Sequence, residues 1–280
     1  MPELAYVNGE YLPIEKALVP VEDRGYQFGD AVYEFIASYK GRLFFLEEHL
    51  ARLDRSMHGL AFPKVSRETI RHAVLTLFAK AAINRAGIYI QISRGVAPRN
   101  HPFPDNVPLQ IVMTARAIEE KPVALRTNGA AAITVEDLRW GRCDLKTVQL
   151  LPNVLAKQQA LAAGAFDAIF VSSEGVVREA TSSNVCIVSE CRMITHPLTP
   201  QILPGITRKV VIDLCRELDI SVEERLYKID DLYGADEAFL TGTVTEVLPI
   251  VTVDERPIGD GSVGEVTDRL FDALRQRAGA

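Results

Sequence analysis

Short alternating runs of apolar and polar residues open the chain, and a helical period follows them. Ala5-Tyr6-Val7 and the stretch Glu10 to Ile14 flank Asn8-Gly9, a pair that suits the tight type I′ turn of a β-hairpin. DAVYEFIASYKGRLFFL predicts a second hairpin, turning at Lys40-Gly41. Leu46, Leu50, Leu53, Met57 and Leu60 then recur at helical spacing and mark one buried face. Ser66 is the expected N-cap of a second helix running to about Ala82. GIYIQISRG and LQIVMTAR predict two more strands. The polar stretch AIEEKPVA, residues 117–124, contains Pro122 and sits between apolar strands, so it is expected to link two domains.

A strand is expected near LRTNGAAAITV, then a helix from about Asn153 to Ala163 with Gly164 at its C′ position. FDAIFVSSEGVVREA predicts a hairpin turning at Ser173-Glu174-Gly175. NVCIV and RMITH are short strands. LPGITRKVVIDLCREL reads as a strand end, a tight turn and a helix. ISVEERLY and EAFLTG are strands, and SVGEVTDRLFDALRQRAG is a closing helix. Strands come in runs with helices between some of them, which is α+β rather than a strictly alternating doubly wound sheet. The expected organisation is a small N-terminal α/β domain over 1–116, the linker 117–124, and a larger β-rich C-terminal domain with helices over 125–280.

Composition narrows the class. A chain of 280 residues with 48% apolar and 24% charged residues is an ordinary globular protein. Its formal charge of −6 offers no basic excess for nucleic-acid phosphates. Cys143, Cys186, Cys191 and Cys215 form no CxxC pair and match no common zinc spacing, so no metal is expected. They read as buried, reduced thiols of a cytoplasmic protein. The first residues carry early charges and no apolar h-region, and no run of about 18 apolar residues predicts a membrane span. No GxGxxG follows a predicted strand, and GxxxxGK[ST], HExxH and GxSxG are absent from the sequence.

Four local patterns carry chemistry. Lys146 lies between Leu145 and the apolar Val148, Leu150 and Leu151, ahead of a helix. Desolvation of such an amine lowers its pKa, by up to ~3–5 units at full burial, and a neutral amine is what condensation with an aldehyde needs. In LPGITRK, Pro204-Gly205 makes a turn after which the N–H groups of Ile206 and Thr207 open a helix, a ready anion site. In REATSSNVCIV, Glu179 precedes small hydroxyl residues and Asn184. In SRGVAPRNHPFP, Arg99 and His101 stand on a loop stiffened by Pro98, Pro102 and Pro104, where an Arg fork can grip a carboxylate.

Taken in order, VYEFIASYKGRLFFLEEHLARL, RGVAPRNH, DLKTVQLLPNVLAKQQA, EATSSNV, LPGITR and FLTGTVTEVLPI resemble the two-domain fold type IV pyridoxal-phosphate enzymes. These are the aminotransferases for D-amino acids and for branched-chain L-amino acids, with aminodeoxychorismate lyase as a relative. The RGVAPRNHPFP loop is most similar to the D-amino-acid aminotransferases. The resemblance implies transamination between D-amino acids, of the D-alanine or D-glutamate type, and 2-oxo acids. The branched-chain and lyase activities are the alternatives. It further implies pyridoxal 5′-phosphate carried by Lys146 as a Schiff base, with Glu179 pairing with the pyridine nitrogen. Arg52, Ile206, Thr207 and Thr243 would hold the phosphate, with Ser182 beside the cofactor and Leu203 behind its ring. Tyr33, Arg99 and His101 would trap the substrate carboxylate, with Arg99 and His101 supplied by the neighbouring subunit of a homodimer.

Two features stand apart from that pattern. At ~100° per residue, Arg52 falls about 120° from the centre of its helix's apolar face, so periodicity alone reads it as surface. Gly242 and Val244 stand where related D-specific enzymes often carry hydroxyls. His49, His58, His72 and His196 are expected at surface or shoulder positions.

Overall fold

The computed structural model describes residues 3–280; residues 1–2, with which the 1–116 domain and the N-terminal segment begin, lie outside the described residues. The chain forms two compact units, Met1–Glu119 with Leu145–Gln149, and Glu120–Asp144 with Leu150–Ala280.

The first unit is built on a hairpin, β1 (Leu4–Val7) and β2 (Glu10–Pro13), whose turn places Asn8 and Gly9 at positive φ as the Asn-Gly pair predicts. A short helix α1 (Arg24–Phe28) leads into β3 (Ala31–Tyr39), which turns at Lys40-Gly41 into β4 (Arg42–Leu43). Helices α2 (Leu46–Gly59) and α3 (Arg67–Ala81) follow, then β5 (Ala86–Ser93) and β6 (Gln110–Ala117). The strands make one antiparallel sheet in the order β2-β1-β6-β5-β3-β4. Leu50, Leu53 and Met57 of α2 and Ile70, Val74 and Leu77 of α3 are buried in one core with Val32, Ile36, Ile88, Ile90 and Met113. Ser66 is the N-cap position of α3, without a side-chain cap bond.

Side chains alternate across β3. Val32, Glu34 and Ile36 therefore share the core face, while Tyr33 lies on the other, paired in register with Gln91. A carboxylate thus enters an otherwise apolar layer.

In the second unit α4 (Val123–Thr127) begins inside the stretch expected to be linker. Then come β7 (Ala130–Glu136), α5 (Leu151–Ala162), β8 (Asp167–Val171), β9 (Val177–Ala180), β10 (Asn184–Ser189) and β11 (Arg192–Thr195). The chain closes with α6 (Ile206–Glu217), β12 (Ser221–Glu224), α7 (Ile229–Tyr233), β13 (Glu237–Gly242), β14 (Glu246–Val253), β15 (Arg256–Pro257) and α8 (Glu265–Ala278). The sheet runs β12-β11-β10-β13-β14-β7-β8-β9, and β9 meets β10 again through Glu179 and Asn184. The β7–β8, β7–β14 and β11–β12 pairs are parallel and the rest antiparallel, a mixed pattern in keeping with α+β. Val177, Val185, Ile187, Leu240, Leu248 and Ile250 form its main core. Helix α5 packs only Ala156 and Ala160 against Ala165, Ala168 and Phe170 and leaves Leu151, Val154, Leu155 and Leu161 exposed.

The segment 145–149 lies with the first unit, where its backbone pairs with β3 at an isolated bridge between Val32 and Thr147. Several expectations are corrected. LPGITR opens no strand before α6. His49 and His196 are buried, not at surface or shoulder positions. All four cysteines are free thiols, but only Cys186 and Cys215 are buried; Cys143 is half-buried and Cys191 exposed. Among the described residues no helix is long and apolar enough to cross a membrane, and no cluster of three His, Cys, Asp or Glu is placed to hold a metal.

Candidate active site

In the first unit the segment carrying Lys146 is held on both sides. The Tyr33 N–H donates to the Lys146 carbonyl (2.9 Å), the Val148 N–H donates to the Ala31 carbonyl (3.2 Å), and the Lys146 N–H donates to Ser56 Oγ (3.0 Å). Leu145 sits against Gly59 of α2, where a Cβ would come within 2.5 Å of Leu145 Cδ2. Four backbone and packing restraints therefore fix Lys146 while its side chain stays half-buried. Its Nζ lies 4.2 Å from the centroid of the Tyr33 ring, within cation–π range. Tyr33 in turn packs on Tyr89 at 5.6 Å, and burial, with Tyr33 beside it, pushes the Tyr89 phenol up to about 12.

Arg52 is buried, contrary to its reading from periodicity. Its Nε and one terminal nitrogen donate to the two oxygens of Glu34, at 2.7 and 2.8 Å. The second Glu34 oxygen also takes a bond from His49 Nδ1 at 2.7 Å. Burial alone would raise the Glu34 carboxyl; Arg52 and then His49 outweigh it and bring the carboxyl down to about 2. Burial lowers the His49 ring below its ordinary value, with Arg52 and Lys146 adding to that and Glu34 opposing it. The ring is thus neutral at pH 7, donating from Nδ1. The cluster costs desolvation but leaves no charge unpaired.

The loop bearing Arg99 and His101 is anchored from behind. Asp30 receives Arg24 Nε (2.8 Å) and Arg94 Nε (2.9 Å), and Arg24 also donates to the carbonyls of Asn100 (2.6 Å) and His101 (3.2 Å). The Arg99 guanidinium lies 4.9 Å from the Phe28 ring centroid, and the His101 ring 5.6 Å from the same ring. Arg99 and His101 are both exposed. Their described contacts are with Phe28 and Arg24, and those of Tyr33 are with Lys146 and Tyr89.

In the second unit Glu179 is buried on β9. One carboxylate oxygen accepts from the Leu203 N–H (2.9 Å) and Asn184 Nδ2 (3.1 Å); the other accepts from Arg139. Asn184 also donates to the Leu203 carbonyl (2.9 Å), tying β10 to the turn before α6. Gly205 caps that helix, and a Cβ there would stand 2.1 Å from Asn184 Oδ1, so only glycine allows this approach. Ile206 and Thr207, both buried, open α6, where the first N–H groups have no partner within the helix. Ser182 is exposed just after β9, and half-buried Thr243 follows β13. Ser183 Oγ, 2.9 Å from where a Gly242 Cβ would lie, explains the small residue there.

A family model described as "Amino-transferase class IV" matches residues 31–253, most of both units. The chain belongs to the class IV aminotransferases. D-alanine aminotransferase from Bacillus licheniformis is 40% identical over 269 residues, spanning 96% of this aminotransferase and 94% of the relative. Among solved structures, the Escherichia coli branched-chain amino acid aminotransferase has a TM-score of 0.92 at 26% identity, covering 99% of this chain and 94% of that one. The branched-chain amino acid aminotransferase from Thermobaculum terrenum, solved in its PLP-form, has a TM-score of 0.86 at 28% identity, again over 99% and 94%.

The aminotransferase thus places Lys146 on Tyr33 within one unit, and Glu179 on Leu203 within the other. Sequence reasoning missed Glu34, His49, Arg24, Asp137 and Arg139, each of which holds a candidate residue or its neighbour. Glu34 stands next to Tyr33 in the VYE motif, and a charged residue on the apolar face of a strand was the available signal. Arg24 lies outside any motif and carried none.

Proposed function

We propose that this aminotransferase moves amino groups between D-amino acids of the D-alanine and D-glutamate type and 2-oxo acids, using pyridoxal 5′-phosphate. The observation that carries the reading is the 40% identity to a D-alanine aminotransferase, spread over 96% of the chain. The residues present fit the cofactor chemically. Lys146 is a half-buried primary amine, Glu179 a buried carboxylate fixed by three donors, and Ile206 and Thr207 the first turn of a helix. Those are the groups that an aldehyde, a pyridinium nitrogen and a phosphate require.

In this reading Lys146 Nζ anchors the cofactor's aldehyde carbon, and Glu179 keeps the ring nitrogen protonated. Arg52, Ile206, Thr207 and Thr243 would hold the phosphate, and Ser182 and Leu203 would line the cofactor. When bound, the cofactor supplies the electron sink that acidifies the substrate Cα–H. Lys146 Nζ would be the group that moves the substrate Cα proton, taking it as a base and returning it as an acid. Tyr33, Arg99 and His101 bind the substrate α-carboxylate, Arg99 through its planar fork. Arg99 and His101 are exposed on their own chain, and α5 carries four exposed large apolar residues, Leu151, Val154, Leu155 and Leu161. Both suit a homodimer in which the loop serves the neighbouring copy. Residues 117–124 connect the small N-terminal domain to the larger C-terminal one, and the cytoplasm is the proposed compartment.

A panel of D- and L-amino acids with 2-oxoglutarate or pyruvate tests the reading. Turnover of D-alanine, lost in Lys146→Ala, is expected. The structural likeness to branched-chain enzymes at a TM-score of 0.92 favours L-leucine as the competing substrate. Preferential turnover of L-leucine would replace the D-specific reading with that one.

A further inference from the structure

Behind Glu179 stands an ion cluster that no step above uses. Arg139 follows β7 and has a side chain only 5% exposed; those of Asp137 and Glu179 are 12% and 8% exposed. Arg139 grips Asp137 in a two-point contact, Nε to Oδ1 at 2.9 Å and a terminal nitrogen to Oδ2 at 2.8 Å. The same terminal nitrogen donates to the Gln201 carbonyl (3.2 Å), and the other donates to Glu179. The guanidinium lies over Phe170, 4.3 Å from the ring centroid. Both carboxylates act to hold Arg139 well above the ordinary arginine range despite its burial, and half-buried Cys143 is a further titratable group beside it.

The charge count matters. Glu179 with Arg139 alone would be a neutral pair, and a neutral pair does little for a cation. Asp137 cancels the guanidinium, so Asp137, Arg139 and Glu179 together carry one net negative charge. The geometry is set by the same contacts: Arg139 fixes one Glu179 oxygen, while Leu203 N–H and Asn184 fix the other.

We propose that Asp137 and Arg139 act on Glu179 through charge: Asp137 cancels the guanidinium that grips Glu179, so that Glu179 keeps its negative charge toward the cofactor's ring nitrogen. The inference rests on the reading that Glu179 faces that nitrogen. Removing the Asp137 charge leaves the guanidinium uncancelled and neutralises Glu179 through it. The ring nitrogen then loses affinity for its proton, by roughly tenfold or more for loss of one nearby charge in a buried site.

The test uses holoenzyme loaded with pyridoxal 5′-phosphate labelled with ¹⁵N in the ring, observed by ¹⁵N NMR across a pH series. Glu179→Gln is the control for the underlying reading: its ring signal should move to the unprotonated position, and an unmoved signal removes Glu179 from the nitrogen altogether. Asp137→Asn, which keeps shape and loses charge, should move the signal the same way. The double variant Asp137→Asn/Arg139→Gln restores one net negative charge and should bring the signal back toward wild type. Residues serving only as scaffolding would make the double variant worse than the single. If Glu179→Gln shifts the signal but Asp137→Asn does not, or if the double variant shifts further, the proposal fails and the reading of Glu179 stands. Should Asp137→Asn not fold, Asp137→Glu decides: the charge-conserving change should leave the signal where wild type has it, and displacement overturns the proposal.

Discussion

Replacing Glu34 by glutamine removes an anion from a buried layer of the first unit. Glu34 is fully buried and accepts two bonds from Arg52 and one from His49. Glutamine keeps the volume but leaves the Arg52 guanidinium without its buried counter-charge. Breaking a buried pair from one side costs about 3–5 kcal/mol. An independent route gives a similar figure. The carboxyl falls from 4.5 to about 2 on folding, and that difference corresponds to about 3 kcal/mol of stability at neutral pH. The sign follows from proton counting. Below its unfolded value the unfolded chain binds the proton more readily, so stability present at pH 7 falls as pH drops from about 4.5 toward 2. His49, lowered by burial, gives a loss of the same sign starting below its unfolded value of 6.5. Urea unfolding followed by circular dichroism, at pH 7 and at pH 4, checks both statements. Glu34→Gln should be about 3 kcal/mol or more less stable at pH 7 and should lose less on acidification than wild type. A variant within 1 kcal/mol of wild type, with the same acid profile, would refute the argument that this pairing outweighs its desolvation.

Three further outcomes are expected. Arg24→Ala removes two charged donors from the Asn100 and His101 carbonyls and should raise KM for D-alanine by about tenfold while the cofactor stays bound, as steady-state kinetics and the absorption spectrum will report. Gly205→Ala drives a Cβ to 2.1 Å from Asn184 Oδ1, so it should cost about 1–3 kcal/mol in thermal unfolding and loosen the Glu179 contacts; an unchanged Tm would contradict the close approach. Burial pushes the thiols of Cys186 and Cys143 up to about 11 and that of Cys215 up to about 12, so a thiol reagent at pH 8 should label Cys191 alone at first, which peptide mapping can check.

What the sequence discloses depends on whether the signal is local. The Asn8-Gly9 turn, the apolar face of α2 and the Gly164 stop all arise from neighbours in the chain, and the structure reproduces them. Arg52 escapes such reading because its partner comes from another element: Glu34 of β3 neutralises it, and a helical wheel has no term for a carboxylate on a strand. His49 is buried for the same reason. The attachment of segment 145–149 to β3 spans more than a hundred residues, and no periodicity encodes a backbone bond of that reach. The candidate residues themselves were legible only as a set of motifs in order. Of those that brace them, Arg24 and Arg139 act through side chains aimed at carbonyls and a carboxylate far along the chain, and Asp137 acts through Arg139.

The short stretch Leu145–Gln149 belongs to one unit although its flanks belong to the other, so the polypeptide passes between them at 119–120, at 144–145 and at 149–150. A fragment cut after residue 119 would keep every strand of the N-terminal sheet yet strip β3 of the backbone partners that Lys146 and Val148 supply. No single cleavage yields two self-sufficient pieces. Recombination with a relative must exchange this five-residue insert together with the N-terminal half, or Lys146 will arrive on a strand edge shaped for a different tenant.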